Sequence, residues 1–182
     1  MNLQEAIHLL ENNNYLVETD INGSIRECTR EEVKKAACYA HYYMFSKQYP
    51  DIDPSDEFTI LHKFESSAEP YLEVYDGDEL LHAYTIDGKQ CFLLTKPIFN
   101  QKENYLALAY VNPEARGTGL AARLLQKCID DSPNGLRLTT SKYNIAMNKL
   151  AQKLGFKSSN KDNSYYVSYY YKKRPKNRSF SL

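Results

Sequence analysis

Seven consecutive apolar residues, Tyr105, Leu106, Ala107, Leu108, Ala109, Tyr110 and Val111, limit what this chain can fold into more than any other segment. A strand with one wet face alternates apolar and polar residues, so an unbroken run of this length predicts a central strand covered on both faces. Residues 119–131 then carry Leu120, Ala121, Leu124, Leu125, Cys128 and Ile129 at helical spacing, with Arg123, Lys127 and Asp130 on the opposite side. That pattern predicts an amphipathic helix packed on the strand's sheet. A buried strand followed directly by such a helix places the chain in the α/β class, with helices on a sheet.

The remaining pattern is consistent with one domain over residues 1–172 and a basic tail over 173–182. Leu3, Ile7 and Leu10 predict a short first helix, and residues 15–20 and 24–27 read as short strands around Asn22 and Gly23. Thr29 and Glu32 have capping-box spacing ahead of a helix over residues 30–46. Strands are expected at 58–64, 71–75, 80–86 and 90–94, with Asp76-Gly77 and Asp87-Gly88 as hairpin turns, which makes the middle third antiparallel sheet. Beyond the amphipathic helix, a strand is expected from Gly135 to Ser141, a helix over 144–154 stopped by Gly155, and two last strands at 156–158 and 165–172. The sheet is therefore expected to be mixed and largely antiparallel, with helices on both faces. Many of the sixteen tyrosines fall on these strands, where aromatic residues pack well, so they read as core and sheet surface rather than a base-stacking platform.

The six residues that join the buried strand to the helix, Arg116-Gly117-Thr118-Gly119-Leu120-Ala121, carry the functional signal. Two glycines let backbone amides approach a ligand closely, the helix N-terminus adds partial positive charge, and Arg116 adds a full one, so the junction suits a pyrophosphate. It lacks the Gly-Lys-Ser/Thr ending of a nucleotide P-loop. The turn and its flanking elements resemble the signature of the GNAT superfamily of acetyl-CoA-dependent N-acetyltransferases, Gln/Arg-x-x-Gly-x-Gly/Ala after an apolar strand, which Arg116, Gly119 and Ala121 match. Asn144, Leu150 and Lys153-Leu154-Gly155-Phe156 are similar to the second motif of that family, in which an Asn opens a helix ending in Gly-Phe.

The resemblance implies a sheet splayed at its centre to admit acetyl-CoA as co-substrate, and direct acetyl transfer to an amine in a ternary complex. It also implies that backbone groups at Ala109, Tyr110 and Val111 pair with the pantetheine arm. Gly117, Thr118, Gly119, Leu120, Ala121 and Ala122 would hold the pyrophosphate with Arg116, and Asn144 would contact the cofactor near its reactive end. Relatives often carry a Glu on the central or following strand and a Tyr in the second-motif helix as proton carriers, and this chain has Thr139 with Thr140 and Ala151 at those places. Tyr143, next to Asn144, is a substitute candidate for the acid, and Glu73 or His82 could relay a proton through water.

Two readings of the missing carriers stay open: an acceptor needing little help, such as an α-amino group or a small-molecule amine rather than lysine, or a cofactor-binding regulator that has lost catalysis. At pH 7 an unperturbed lysine is neutral about once in 2,500 molecules and an α-amine about once in seven.

Charge and cysteine content narrow the partners. Lys and Arg total 23 and Asp and Glu total 23, so attraction to nucleic acid or an acidic partner is confined to the local basic run Lys172, Lys173, Arg174, Lys176 and Arg178. Cys28, Cys38, Cys91 and Cys128 stand apart, with no CxxC pair and no histidine at zinc-ligand spacing, which points to no metal and a reduced, cytoplasmic setting. No run is long and apolar enough to span a membrane, and residues 1–11 do not read as a secretory signal.

Overall fold

The computed structural model describes residues 23–98, 100–159 and 165–173, so the expected first helix and the strand at 15–20 lie outside the described residues. A seven-stranded sheet has the order β1-β2-β3-β4-β5-β7-β6, with β1 at Arg26–Glu27, β2 at Leu80–Thr85, β3 at Gln90–Thr95, β4 at Asn104–Val111, β5 at Leu136–Ser141, β6 at Lys157–Ser158 and β7 at Tyr166–Tyr171. Every neighbouring pair is antiparallel except β4 with β5. The helices are α1 at Arg30–Phe45, α2 at Glu57–Lys63, α3 at Glu65–Asp76, α4 at Leu120–Asp130 and α5 at Ile145–Lys153. The mixed, largely antiparallel sheet with helices on both faces is thus the observed architecture.

Local chemistry accounts for most element ends. Thr29 Oγ1 accepts from the Glu32 amide at 3.2 Å while Glu32 Oε2 accepts from the Thr29 amide at 2.8 Å, the reciprocal box that starts α1. Asn144 Oδ1 caps α5 by accepting from the Met147 amide at 3.2 Å. Gly155, in the left-handed region at φ 86°, ends that helical turn as expected.

The middle third differs from expectation: residues 58–64 and 71–75 are not strands but lie in α2 and α3. Asp56 accepts from the Thr59 amide at 3.0 Å and starts α2. Ile60, Phe64, Ala68 and Leu72 then recur every four residues and are all buried against α1, a helical period that outweighs the strand preference of the individual aromatic and β-branched residues. Asp76-Gly77 ends α3 rather than turning a hairpin, with the Gly77 amide donating to the Val74 carbonyl. Only the 80–95 region is an antiparallel hairpin, turning through Gly88 at φ 82°.

Two cores flank the sheet. The first, under α4 and α5, uses Tyr84 and Ile86, Phe92 and Leu94, Leu106, Leu136 and Leu138, and Val167 and Tyr169, so it reaches from the end of β2 to β7. The second, under α1, α2 and α3, takes Ala83, Cys91, Leu93, Leu108 and Tyr110 and no residue of β5 or β7. Strand β4 feeds both cores, as its unbroken apolar run requires. It does so through a bulge: Leu93 pairs with Leu108 and Leu94 with Leu106, so Ala107 is an extra residue, and Ala107 and Leu108 turn to the same face.

Candidate active site

The junction between β4 and α4 exposes a run of backbone donors. Asn112 Oδ1 accepts from the Glu114 amide at 3.1 Å and opens a short 3-10 turn at Pro113–Ala115, and Thr118 Oγ1 donates to the Ala115 carbonyl at 2.6 Å. Gly117 and Gly119 then adopt φ 81° and 86°, where a side chain would be strained. The amides of Gly117, Thr118, Gly119, Leu120 and Ala121 have no acceptor among the described residues, whereas the Ala122 amide already donates to the Gly119 carbonyl at 3.0 Å. A Cβ built on Gly117 or Gly119 meets no described residue within 4 Å, so among the described residues the space at these two positions is open. Consecutive orphan amides, positive φ and the N-terminus of α4 together form an anion-binding concavity that fits a pyrophosphate.

Arg116 sits beside this concavity and braces it. Its Nε donates to the Val111 carbonyl at 3.2 Å, and its guanidinium lies 5.4 Å from the centre of the Tyr43 ring on α1. Tyr110 points the same way, packing on Tyr39 and burying a hydroxyl with no hydrogen-bond partner among the described residues. Burial, with a smaller contribution from Tyr43, pushes that phenol above its ordinary range.

Next to the concavity the sheet parts. Strands β4 and β5 pair only through Asn104 with Leu136, Tyr105 with Arg137 and Leu106 with Leu138. Beyond Leu106 the edge of β4 that includes Ala109, Tyr110 and Val111 has no strand partner on the β5 side, leaving a gap that can take an amide-bearing chain as an added strand. Asn144 follows β5 and caps α5, beyond the end of the strand and not among the residues at the foot of the gap. Its side-chain NH₂ has no acceptor among the described residues, since only Oδ1 is used in capping. Asn148 ties the β5–α5 corner together: its Nδ2 donates to the Ser141 and Lys142 carbonyls and its Oδ1 accepts from Tyr169 Oη at 3.0 Å. The sequence singled out Asn144 but not Asn148, whose pairing with a tyrosine on β7 has no local signature.

The proton-carrier candidates scatter. Tyr143 follows β5, five residues beyond Leu138, with 67 % of its surface exposed and its ring edge-on to Tyr165 at 5.5 Å. It lies in the turn after Ser141, where β5 ends, and is not among the residues that line the cleft at the foot of the gap. His82 lies on β2, its Nδ1 2.7 Å from Glu27 Oε1 and its ring stacked on Tyr84, two strands away from β4. Glu73 is exposed on α3, not on a strand. The four cysteines are buried free thiols, with Cys38 raised to about 11 mainly by burial. Among the described residues no group of His, Cys, Asp or Glu side chains could hold a metal ion, and no helix is long and apolar enough to cross a membrane. Of the basic run, Lys172 and Lys173 are described, with Lys173 Nζ donating to the Asp130 carbonyl at 2.9 Å, and residues 174–182 lie outside the described residues.

A second feature was not singled out from the sequence. On the face that α1, α2 and α3 leave uncovered, a cleft of about 270 Å³ opens at the foot of the gap, lined by Gln101, Glu103, Tyr105, Arg137, Thr139 and Ser168 among others. Arg137 Nε donates to Glu103 Oε2 at 3.2 Å, and Thr139 Oγ1 lies 3.2 Å from Ser168 Oγ. The sequence signal was the polar residue between Leu136 and Leu138, which strand alternation sends to the opposite face.

Solved structures share the fold. The PaiA N-acetyltransferase of Thermoplasma acidophilum, solved in complex with coenzyme A, superimposes with a TM-score of 0.56 at 15% identity, covering 82% of this chain and 98% of its own. An acetyltransferase of the GNAT family from Bacillus cereus gives 0.56 at 17% identity, covering 83% and 97%. YncA of Salmonella typhimurium, solved with its cofactor acetyl-CoA, gives 0.51 at 16% identity, covering 86% and 95%. No curated protein matches the chain in sequence. The acetyltransferase (GNAT) family model matches residues 38–156, a span that runs from within α1 through the parted strands and the glycine turn to Phe156, and on that match the chain belongs to the GNAT acetyltransferase family.

Proposed function

We propose that the chain transfers the acetyl group of acetyl-CoA to the nitrogen of an amine by direct attack in a ternary complex, favouring α-amino or small-molecule amines over lysine. One observation carries the cofactor half: among the described residues, the amides from Gly117 to Ala121 form an unbroken run without acceptors, over two positive-φ glycines with open space at their Cβ positions, beside a strand edge with no partner. Backbone donors so placed suit a diphosphate, and an unpaired strand edge suits the amides of a pantetheine arm. Asn144 contributes its free NH₂, and Arg116 contributes charge from the rim.

Acetyl-CoA supplies the thioester, whose C–S bond breaks as the new C–N bond forms, with one proton passing from nitrogen to sulfur. The residues at the foot of the gap hold the acceptor near that carbonyl and keep it oriented, an entropic contribution that needs no side-chain base. Thr139, Ser168 and Tyr105 offer hydroxyls there. Among the described residues, the only carboxylate lining the cleft is Glu103, which stays ionised. Desolvation is the largest single influence and raises it, but the hydrogen bond and charge of Arg137, together with backbone hydrogen bonds at Lys102 and Glu103, outweigh that and hold it below the usual carboxylate range. A carboxylate so held is a weak base, which is why an acceptor already partly neutral near pH 7 fits better than lysine.

The test is a thiol-release screen of amine acceptors beside calorimetric titration of coenzyme A. Expected are submillimolar cofactor binding, turnover with α-amines faster than with matched lysine peptides at pH 7, and a rate that rises with pH through the acceptor's own pKa. Because Tyr143 is exposed, packs edge-on to Tyr165 and does not line the cleft, Tyr143→Phe should keep kcat within about threefold. Cofactor binding without thiol release from any amine would overturn the transfer reading and leave a cofactor-binding regulator.

A further inference from the structure

Arg137 is the one cationic side chain among the residues that line the cleft at the foot of the gap. Its ion pair with Glu103 is lopsided. Glu103 has a side chain only 12% exposed, whereas Arg137 is 35% exposed. Only Nε of the guanidinium is engaged, by Glu103 Oε2 at 3.2 Å, and the two terminal nitrogens have no acceptor among the described residues. The carboxylate therefore acts as a backstop that fixes the plane of the guanidinium, while the two terminal N–H edges stay open to the cleft. A rigid fork of that kind matches a carboxylate in two-point fashion, which a lysine at the same place would not do.

The position along the strands sets the spacing. Arg137 pairs with Tyr105, and the next pair, Leu106 with Leu138, is the last before the strands separate. The step from Arg137 to Thr139, which lines the cleft beside the gap, is two strand residues, about 6.6 Å. A molecule that offers its amine to the gap and an anion to Arg137 must hold the two groups a few bonds apart. The cleft volume of about 270 Å³ accommodates a molecule of amino-acid size.

We propose, resting on the amine-acetylation reading above, that the acceptor carries a carboxylate close to its amine, as an amino acid does, and that Arg137, positioned by Glu103, is the specificity-determining residue that binds it. Thr139 and Ser168 complete the floor with hydroxyls that already contact each other across β5 and β7, so they present a fixed polar surface rather than mobile side chains.

Two measurements separate this inference from the reading it rests on. The first is equilibrium binding to the protein–coenzyme A complex of N-acetylglycine, N-acetylalanine and N-acetylglutamate, each beside its α-primary amide, which differs only in lacking the α-carboxylate. At least one acid should bind tenfold or more tightly than its amide, Arg137→Gln should abolish that difference, and Arg137→Lys should restore part of it. Coenzyme A affinity should stay within twofold in both variants, which checks folding. The second is thiol release with the free amino acids beside their amides, where the acids should have the higher kcat/KM and Arg137→Gln should act through KM. Equal binding of every acid and amide, or equal binding by the Arg137→Gln protein, overturns the inference, even if amides release thiol. Preferential binding of the acids with no thiol release from any amine supports the carboxylate site and overturns the transfer reading instead.

Discussion

The two halves of the site are made of different material. On one side of the parted strands, the anion-binding turn is backbone: amides from Gly117 to Ala121, two glycine dihedrals and the end of α4. On the other, the cleft is side chains: Arg137 against Glu103, Thr139 against Ser168, with Tyr105 and Gln101 at the margin. The contrast follows from how the helices cover the sheet. The core under α4 and α5 reaches β7, whereas the core under α1, α2 and α3 stops at β4, so no described helix covers the second face of β5 and β7, which carries Arg137, Thr139 and Ser168. A site made of backbone tolerates most side-chain changes and fails when a dihedral is denied. A site made of side chains changes specificity one substitution at a time.

The sharpest way to break that contrast is at Gly119. With φ at 86° and a ligand's phosphates expected over its amide, Gly119→Glu imposes backbone strain of about 1–2 kcal/mol and adds a repelling charge. Coenzyme A affinity measured by calorimetry should fall at least a hundredfold, about 2.8 kcal/mol. An unchanged affinity would mean that the cofactor is held elsewhere.

The same contrast governs what could be read from the sequence. Gly117, Gly119 and the amphipathic period of α4 are local features, so a turn made of backbone leaves a local signature. The cleft has none: Glu103, Arg137 and Ser168 come from three segments, and they meet only because β4, β5 and β7 lie side by side in the sheet. Residues 58–75 show the same limit from the other direction. Phe58, Thr59, Ile60 and Tyr71 have strand preferences, and what makes the segment helical is the Asp56 cap and the burial of Ile60, Phe64, Ala68 and Leu72 against α1, a tertiary contact. The β4 bulge at Ala107 was likewise invisible within an unbroken apolar run, where neither face is marked by polarity.

A cleft substitution should have the opposite profile to Gly119→Glu. Glu103→Ala leaves the Arg137 guanidinium without its backstop, so acceptor KM should rise about tenfold, about 1.4 kcal/mol, with coenzyme A affinity within twofold. A matching loss of cofactor affinity would show that the two halves are one coupled network rather than two materials side by side.

The extent of the uncovered face depends on where α1 is pinned, and a pH titration tests that. Glu32 is held at about 2 by its hydrogen bond from Arg26, helped by Thr29 and opposed by desolvation. A carboxyl depressed in the folded state contributes stability that is fully present above its unfolded pKa near 4.3 and is lost as pH falls toward 2. Glu32→Gln should therefore cost about 1–2 kcal/mol at pH 7 in denaturant titrations and flatten the loss of stability between pH 4.5 and 2. An identical acid profile in the variant would place the pin elsewhere.

The smallest expected effect is at Tyr110, where a backbone-made site makes a counterintuitive demand. Tyr110 lies on the strand that borders the gap, yet its ring turns toward Tyr39 on α1 and its buried hydroxyl has no partner among the described residues. If the strand contributes to cofactor binding only through its backbone edge, Tyr110→Phe removes an unsatisfied polar atom at nearly constant shape. It should then raise stability by up to about 1 kcal/mol. Coenzyme A affinity should be unchanged within twofold. A drop in affinity of tenfold or more would mean that the hydroxyl finds its missing partner in the ligand, and the division between a backbone half and a side-chain half would then have to be redrawn through β4 itself.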